Sequence, residues 1–208
     1  MRHPFLTAAL GALCVGLTGA ALPARAASGP VQEQEQAPPP ATAAPDLAKI
    51  TRDCFQAMKK HETDKLPAFF TDDAVFEADE VRIGGKDALR DLFEFDAVNQ
   101  SQIDILDLKV EETTVVLRTS EVNETFRLLG IQADFAKTTV SFRDARIERI
   151  KVETTPEAQE LFMDKFEPFS TWVGERHPEE FNRLLTGGYS AESAKLLLAL
   201  LREWREKS

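Results

Sequence analysis

Cysteine is almost missing from this sequence: among 208 residues only Cys14 and Cys54 carry a thiol. Cys14 lies in an amino-terminal stretch that reads as a removable leader, so the rest of the chain keeps a single cysteine, which excludes an internal disulfide. Stability must come from packing. Cys54 falls in an apolar helical pattern with no sequence cue for activation, the setting of a buried core residue rather than a nucleophile. Histidine is also scarce. Past the leader only His61 and His177 remain, one at an expected helix end and one before Pro178, and neither has cysteine or carboxylate neighbours at metal-ligand spacing. No metal or other cofactor is expected. Basic residues number 25 against 35 acidic ones, a net charge of −10. Loss of Arg2 and Arg25 with the leader leaves 23 against 35, a charge of −12. Nucleic acid and anionic membrane surfaces are poor partners for such a chain.

The leader is MRHPFLTAALGALCVGLTGAALPARA. Arg2, an apolar run from Phe5 to Leu22 and the small-x-small motif Ala24-Arg25-Ala26 predict an export signal over residues 1–26 and a periplasmic or secreted product. The run is nearly long enough for a membrane anchor, but its Ala and Gly content and the cleavage motif favour removal. Lipid anchoring through Cys14 is disfavoured, because Leu13 stands where a small residue is needed. Residues 27–45 carry five prolines and almost no bulky apolar side chain, which predicts a disordered linker. The remainder is long enough for one domain with a sizeable core.

From Asp46 the chain shows helical spacing of Leu47, Ile50, Cys54, Phe55 and Met58, then a short helix carrying Leu66, Phe69 and Phe70 with Thr63 as its expected cap. "TDD" reads as a turn and Ala74 to Ile83 as a strand. Gly84-Gly85 breaks that strand and "KDALRDLFEFDAV" returns to helical spacing. It is not a phosphate loop, because the upstream glycine of that pattern would fall at Glu80. Residues 102–154 read as four antiparallel strands with turns at Asn123-Glu124 and Arg143-Asp144, the third strand bending near Gly130. Helices follow from Thr155-Pro156, and Ser190 caps a last one whose Leu197, Leu200, Leu201 and Trp204 form a wide apolar stripe. That stripe needs a partner surface in its own domain or on a second subunit. Asn99-Gln100-Ser101 and Asn123-Glu124-Thr125 fit the glycosylation pattern.

The helix, short helix and strand of "ITRDCFQAMKKHETDKLPAFFTDDAVFE", together with "GKDALRDLF", resemble the opening of the NTF2-like superfamily, in particular its SnoaL-like branch. The resemblance covers residues 46–154 and leaves 155–208 as a helical extension. It implies an α+β cone in which three amino-terminal helices pack on a strongly curved antiparallel sheet around a cavity. It also implies a choice between enzymes of isomerase, cyclase, dehydratase or hydrolase type and non-catalytic pockets or dimerisation modules. The isomerase-like positions for tyrosine, base and acid fall at Cys54, Ala78 and about Thr138, where none of the required groups stands.

"FFTDDAVFEADE" offers five carboxylates, Asp72, Asp73, Glu77, Asp79 and Glu80. Strand parity puts Glu80 on the face of Phe76 and Ala78 and turns Glu77 and Asp79 away, which leaves Glu80 as the one weak candidate base, with a rim ion pair to Arg82 as its plainer role. The expected function is therefore a pocket for a small hydrophobic ligand, lined by Phe55, Met58, Phe69, Phe76, Phe93 and Phe126, or a self-associating module. The alternative is a cofactor-independent enzyme using Glu80. The same aromatics could equally fill a solid core.

Overall fold

The computed structural model describes residues 45–79, 81–132 and 134–208. The expected leader, Cys14, nearly all of the expected linker and the candidate base Glu80 lie outside the described residues. In chain order the elements are α1 (Leu47–Lys59), a short 3-10 helix (Leu66–Phe69), β1 (Phe70–Ala78), β2 (Val81–Gly84), α2 (Lys86–Val98), β3 (Gln102–Glu111), β4 (Thr114–Val122), α3 (Glu124–Leu129), β5 (Asp134–Arg143), β6 (Arg146–Thr154), α4 (Pro156–Arg176), α5 (Pro178–Thr186) and α6 (Ala191–Lys207). The strands form one sheet in the order β2-β1-β6-β5-β4-β3. Register shifts in the β1–β6, β3–β4 and β5–β6 pairs mark bulges, each of which bends its strand and adds curvature. The pair β1–β6 is parallel, so the sheet is mixed where an antiparallel one was expected.

The helices form where capping and spacing agree. Asp46 accepts a hydrogen bond from Lys49 N at 2.9 Å to start α1, which buries Thr51, Cys54, Phe55 and Ala57. Gly85, at φ +87°, begins α2 in a backbone region that glycine enters without strain. Thr155 caps α4 and Pro156 occupies its first turn. At α6 the hydroxyl of Ser190 accepts from Ser193 N while Ser193 Oγ accepts from Ser190 N, a reciprocal cap.

Several expectations are overturned. The expected strand Ala74 to Ile83 is a hairpin: β1 runs from Phe70 through "TDD", and the chain turns back after Asp79, at φ +50°, so that Ala78 pairs with Val81 and Val75 with Gly84. Aspartate tolerates that left-handed conformation, and the turn shifts the parity on which the outward placement of Asp79 rested. Thr63 does not cap the short helix; Lys65 stands at its start without a side-chain bond. The expected long third strand begins instead as α3, because Asn123 Oδ1 accepts from Phe126 N at 2.8 Å and Gly130, at φ +77°, ends the helix. Phe126 therefore comes from a helix and not from the sheet. The two glycosylation patterns lead nowhere in the folded chain, since Asn99 and Asn123 are buried and hydrogen-bonded.

Two apolar cores result. One fills the lower cone with Cys54, Phe55, Leu66, Phe70, Leu89, Phe93, Leu117, Val140 and Ile150 among others. The other joins α3 to the carboxy-terminal helices through Leu129, Ile131, Phe169, Val173, Leu200 and Leu201. The wide stripe of α6 is satisfied within the chain, against α2, α3, α4 and α5 rather than the sheet. Leu201 is fully buried there. Leu201→Ala is expected to cost about 2–5 kcal/mol, read as a lowered urea midpoint with an unchanged slope.

Candidate ligand cavity

The curved sheet does not close on itself, and the space above its inner face is roofed by α4, α5 and α6. Between cone and roof lies a cavity of about 840 Å³. Its lower wall is Phe55 and Met58 of α1, Phe76 and Ala78 of β1, Phe93 of α2, and Ile150 and Val152 of β6. Its upper wall is Phe126 of α3, Phe162, Phe166 and Phe169 of α4, Phe181 and Leu184 of α5, and Leu197 of α6. Five of the six aromatic and methionine positions expected to form a pocket thus face one space. Phe69 does not; it packs against the cone core outside the cavity.

The upper wall is held as a run of aromatic contacts. Phe126 meets Phe162 edge-on at 6.2 Å, Phe162 stacks on Phe166 at 5.4 Å, Phe166 meets Phe169 at 5.4 Å, and Phe169 meets Trp204 at 5.8 Å. Offset and edge-on pairs of this kind add to area burial and fix ring directions. The wall is therefore shaped rather than merely greasy.

The candidate acids separate sharply. Glu77 points outward and pairs with Arg82, the residue expected beside Glu80, and lies 3.9 Å from Arg149. Asp72 and Asp73 are exposed on β1 and pair with Lys86 and Arg143. Asp79 reaches the cavity rim, where its carboxylate accepts from Thr154 Oγ1 at 2.6 Å and Thr154 N at 3.3 Å. Ala78 and Thr138 line the cavity at two of the isomerase-like positions without offering a carboxyl, and Thr138 Oγ1 lies 3.2 Å from Thr119 Oγ1. At the third, burial raises the pKa of the Cys54 thiol and keeps it protonated.

The polar end of the cavity comes from residues the sequence reading passed over. Asp96 sits on the last turn of α2, one turn beyond Leu92 and Phe93, and faces the cavity. Burial, and then the charge of Glu121, push its carboxyl well above the ordinary value of 3.8. It keeps some accessible surface because it lines a void, yet protein surrounds it closely enough for desolvation to dominate. Glu121 of β4 accepts from Asn123 Nδ2 at 2.8 Å. Asn99 Oδ1 accepts from both Thr125 N at 3.0 Å and Thr125 Oγ1 at 2.9 Å, which anchors α3 to the end of α2. Tyr189, in the connection between α5 and α6, packs edge-on against Phe95 at 5.2 Å, and burial together with the Asp96 charge raises its phenol pKa. The signal for Asp96 was its spacing of four from Leu92, an acid on an apolar stripe. For Glu121 and Tyr189 no local signal exists, because tertiary folding alone brings them to the same void.

A carboxyl whose pKa is raised by folding stabilises the native state below its unfolded value and loses that contribution as pH rises toward the folded value. Asp96→Asn is therefore expected to unfold at higher urea than the parent at pH 8 and to converge with it near pH 4. A parent that gains stability relative to the variant as pH rises would contradict the assignment.

Comparison with known proteins matches residues 51–150, just under half the chain, to the SnoaL-like domain. No match is found among the curated proteins. Similar solved structures include the epoxide hydrolase/cyclase-like enzyme SalBIII, described for pyran ring formation in the polyether salinomycin (14% identity, 54% of this chain and 92% of that one, TM-score 0.49). An NTF2-like protein of unknown function from Cytophaga hutchinsonii (9% identity, 57% and 97%, TM-score 0.48) is another. A de novo designed protein with a curved β-sheet (11% identity, 58% and 94%, TM-score 0.45) is a third. The span from residue 51 to 150, which takes in all but the start of α1 and the end of β6, matches the SnoaL-like domain, and the helices after Thr155 lie beyond it.

Proposed function

We propose that the protein binds a small, largely apolar molecule in the space between cone and roof. The observation that carries this is the cavity itself: about 840 Å³ is the size of a small-molecule site, and its walls are apolar from both sides with polar groups at one end. The carboxy-terminal helices supply most of the upper wall, which makes the extension part of the proposed site. Self-association through the α6 stripe is the weaker reading, because that stripe is already covered within the chain.

Asp96 favours one second reading, a cofactor-independent isomerase, cyclase, dehydratase or hydrolase. A carboxyl whose hold on its proton is strengthened by burial inside an apolar site is suited to proton transfer. The candidate base Glu80 lies outside the described residues and adds nothing to that reading. Molecules recovered from the protein chemically unchanged after incubation speak for binding alone, and conversion lost in Asp96→Asn speaks for the enzyme.

Purified protein is expected to bind an apolar fluorophore such as Nile red at one site, and Ala78→Phe, which fills the lower wall, is expected to weaken it by about tenfold or more while circular dichroism stays unchanged. Absence of saturable binding, or binding indifferent to the filled wall, overturns the reading. The amino-terminal pattern supports export, and expression of the full chain in a bacterium with intact secretion is expected to yield a product whose mass begins at Ala27. A product retaining Met1 counts against it.

A further inference from the structure

Helix α4 has two unequal halves. Pro168 lies inside it, and a proline in a helix interior has no N–H to give the carbonyl four residues back, here that of Asp164, while its ring crowds that carbonyl. The division in packing falls at the same residue. Beyond it Phe169 and Val173 are fully buried and Ser170 nearly so, the Phe181 ring of α5 lies against Gly174, and His177 at the helix end stands 3.3 Å from Glu203 of α6. Before it no residue from Pro156 to Glu167 is buried, and Leu161 is 44% exposed.

Charge does not fasten the first half. Among the described residues Glu157, Glu160, Asp164, Lys165 and Glu167 make no ion pair, and the one side-chain hydrogen bond from this segment to the cone is Gln159 Nε2 donating to Thr154 Oγ1 at 3.1 Å. That bond stands at the foot of the helix, where Thr154 also meets Asp79 on the cavity rim. The segment is held down instead by Phe162 and Phe166, which meet Phe126, Phe169 and each other. Both rings line the cavity, so a ligand there would press on the same two side chains. Helix α5 borders the same space and has no buried residue either, but both its ends are tied to α6. His177 meets Glu203 before it, and after it the carbonyl of Gly188 accepts from Ser193 Oγ at 2.8 Å.

A segment with few buried contacts and a weakened junction to the rest of its helix opens at lower cost than the core around it. We infer that residues 156–167, the first half of α4, are a lid on the cavity, which moves between pivots at Thr155 and Pro168 and carries Phe162 and Phe166 away from the rim to admit a ligand. This rests on the binding role proposed above and adds how that site is entered. A ligand packed on the two rings favours the closed lid through contacts it makes only in that state.

The test is hydrogen–deuterium exchange of the full-length protein, read by mass spectrometry with and without saturating Nile red. In the free protein the amides of residues 160–167 are expected to exchange about tenfold or more faster than those of 170–176. Nile red is expected to slow the first group by about tenfold or more and to leave the second nearly unchanged. Pro168→Ala restores the missing donor and joins the two halves. In that variant, checked as folded by its tryptophan emission, exchange of 160–167 is expected to fall toward that of 170–176, and stopped-flow association and release of Nile red are both expected to slow by about tenfold, with affinity less altered. Three results each overturn the lid and leave the binding role standing: equal or reversed exchange of the two halves in the free protein, protection by Nile red that falls on α5 and not on 160–167, or rates unmoved in the folded variant. Absence of Nile red binding overturns the binding role, and the exchange pattern of the free protein then decides the lid by itself.

Discussion

A sheet that curls into a cone faces a constraint no flat sheet has: its inner face is apolar, yet the strands diverge too far for their own side chains to meet. Burial of that face is the main source of stability where the one described cysteine, Cys54, is free, and an open mouth would return part of it to water. The first helices, α1 and α2, cover the lower half, where Cys54, Phe55, Leu89 and Phe93 pack against Leu117, Val140 and Ile150. The upper half is left to α4, α5 and α6, which build a second core of their own and roof the first. The cavity is the place where the two cores fail to touch.

This arrangement explains which parts were legible in the sequence. Helix periodicity and caps act over a few residues, so α1, α2, α4, α5 and α6, the Thr155 and Ser190 caps and the break at Gly84-Gly85 could all be read from local spacing. Misreadings occur where two local signals compete. Thr125 to Phe142 is rich enough in β-branched residues to suggest one strand, but Asn123 and Gly130 bracket six residues closely enough to close a helix. The hairpin at Asp79 was hidden because an alternating strand and a tight two-strand turn share the same alternation until one residue takes a left-handed conformation. The apolar side of the cavity was partly readable, as Phe55, Met58, Phe76, Phe93 and Phe126 show. The polar side was not. Asp96, Glu121 and Tyr189 come from a helix, a strand and a connection that are far apart in sequence, and no local pattern encodes their meeting.

The acids of the opening strand and the acid of α2 illustrate how position decides chemistry. Asp72, Asp73 and Glu77 each find a cation at the surface, where such pairs are screened and contribute little. Asp96 finds none and sits inside protein. It therefore weakens the fold in which it stands, which is the usual mark of a group kept for something other than stability. Asn99 and Asn123 offset part of this cost by tying α2, α3 and β4 together around it.

The run of rings across the upper wall ends at Trp204, and Trp172 lies in the same helical core. These are both tryptophans of the chain, and its single tyrosine, Tyr189, belongs to the same roof; every aromatic residue of the cone is a phenylalanine. Intrinsic fluorescence therefore comes from the roof alone. The molecule carries a built-in optical probe of one half, since emission reports the seating of the carboxy-terminal helices on the cone beneath them.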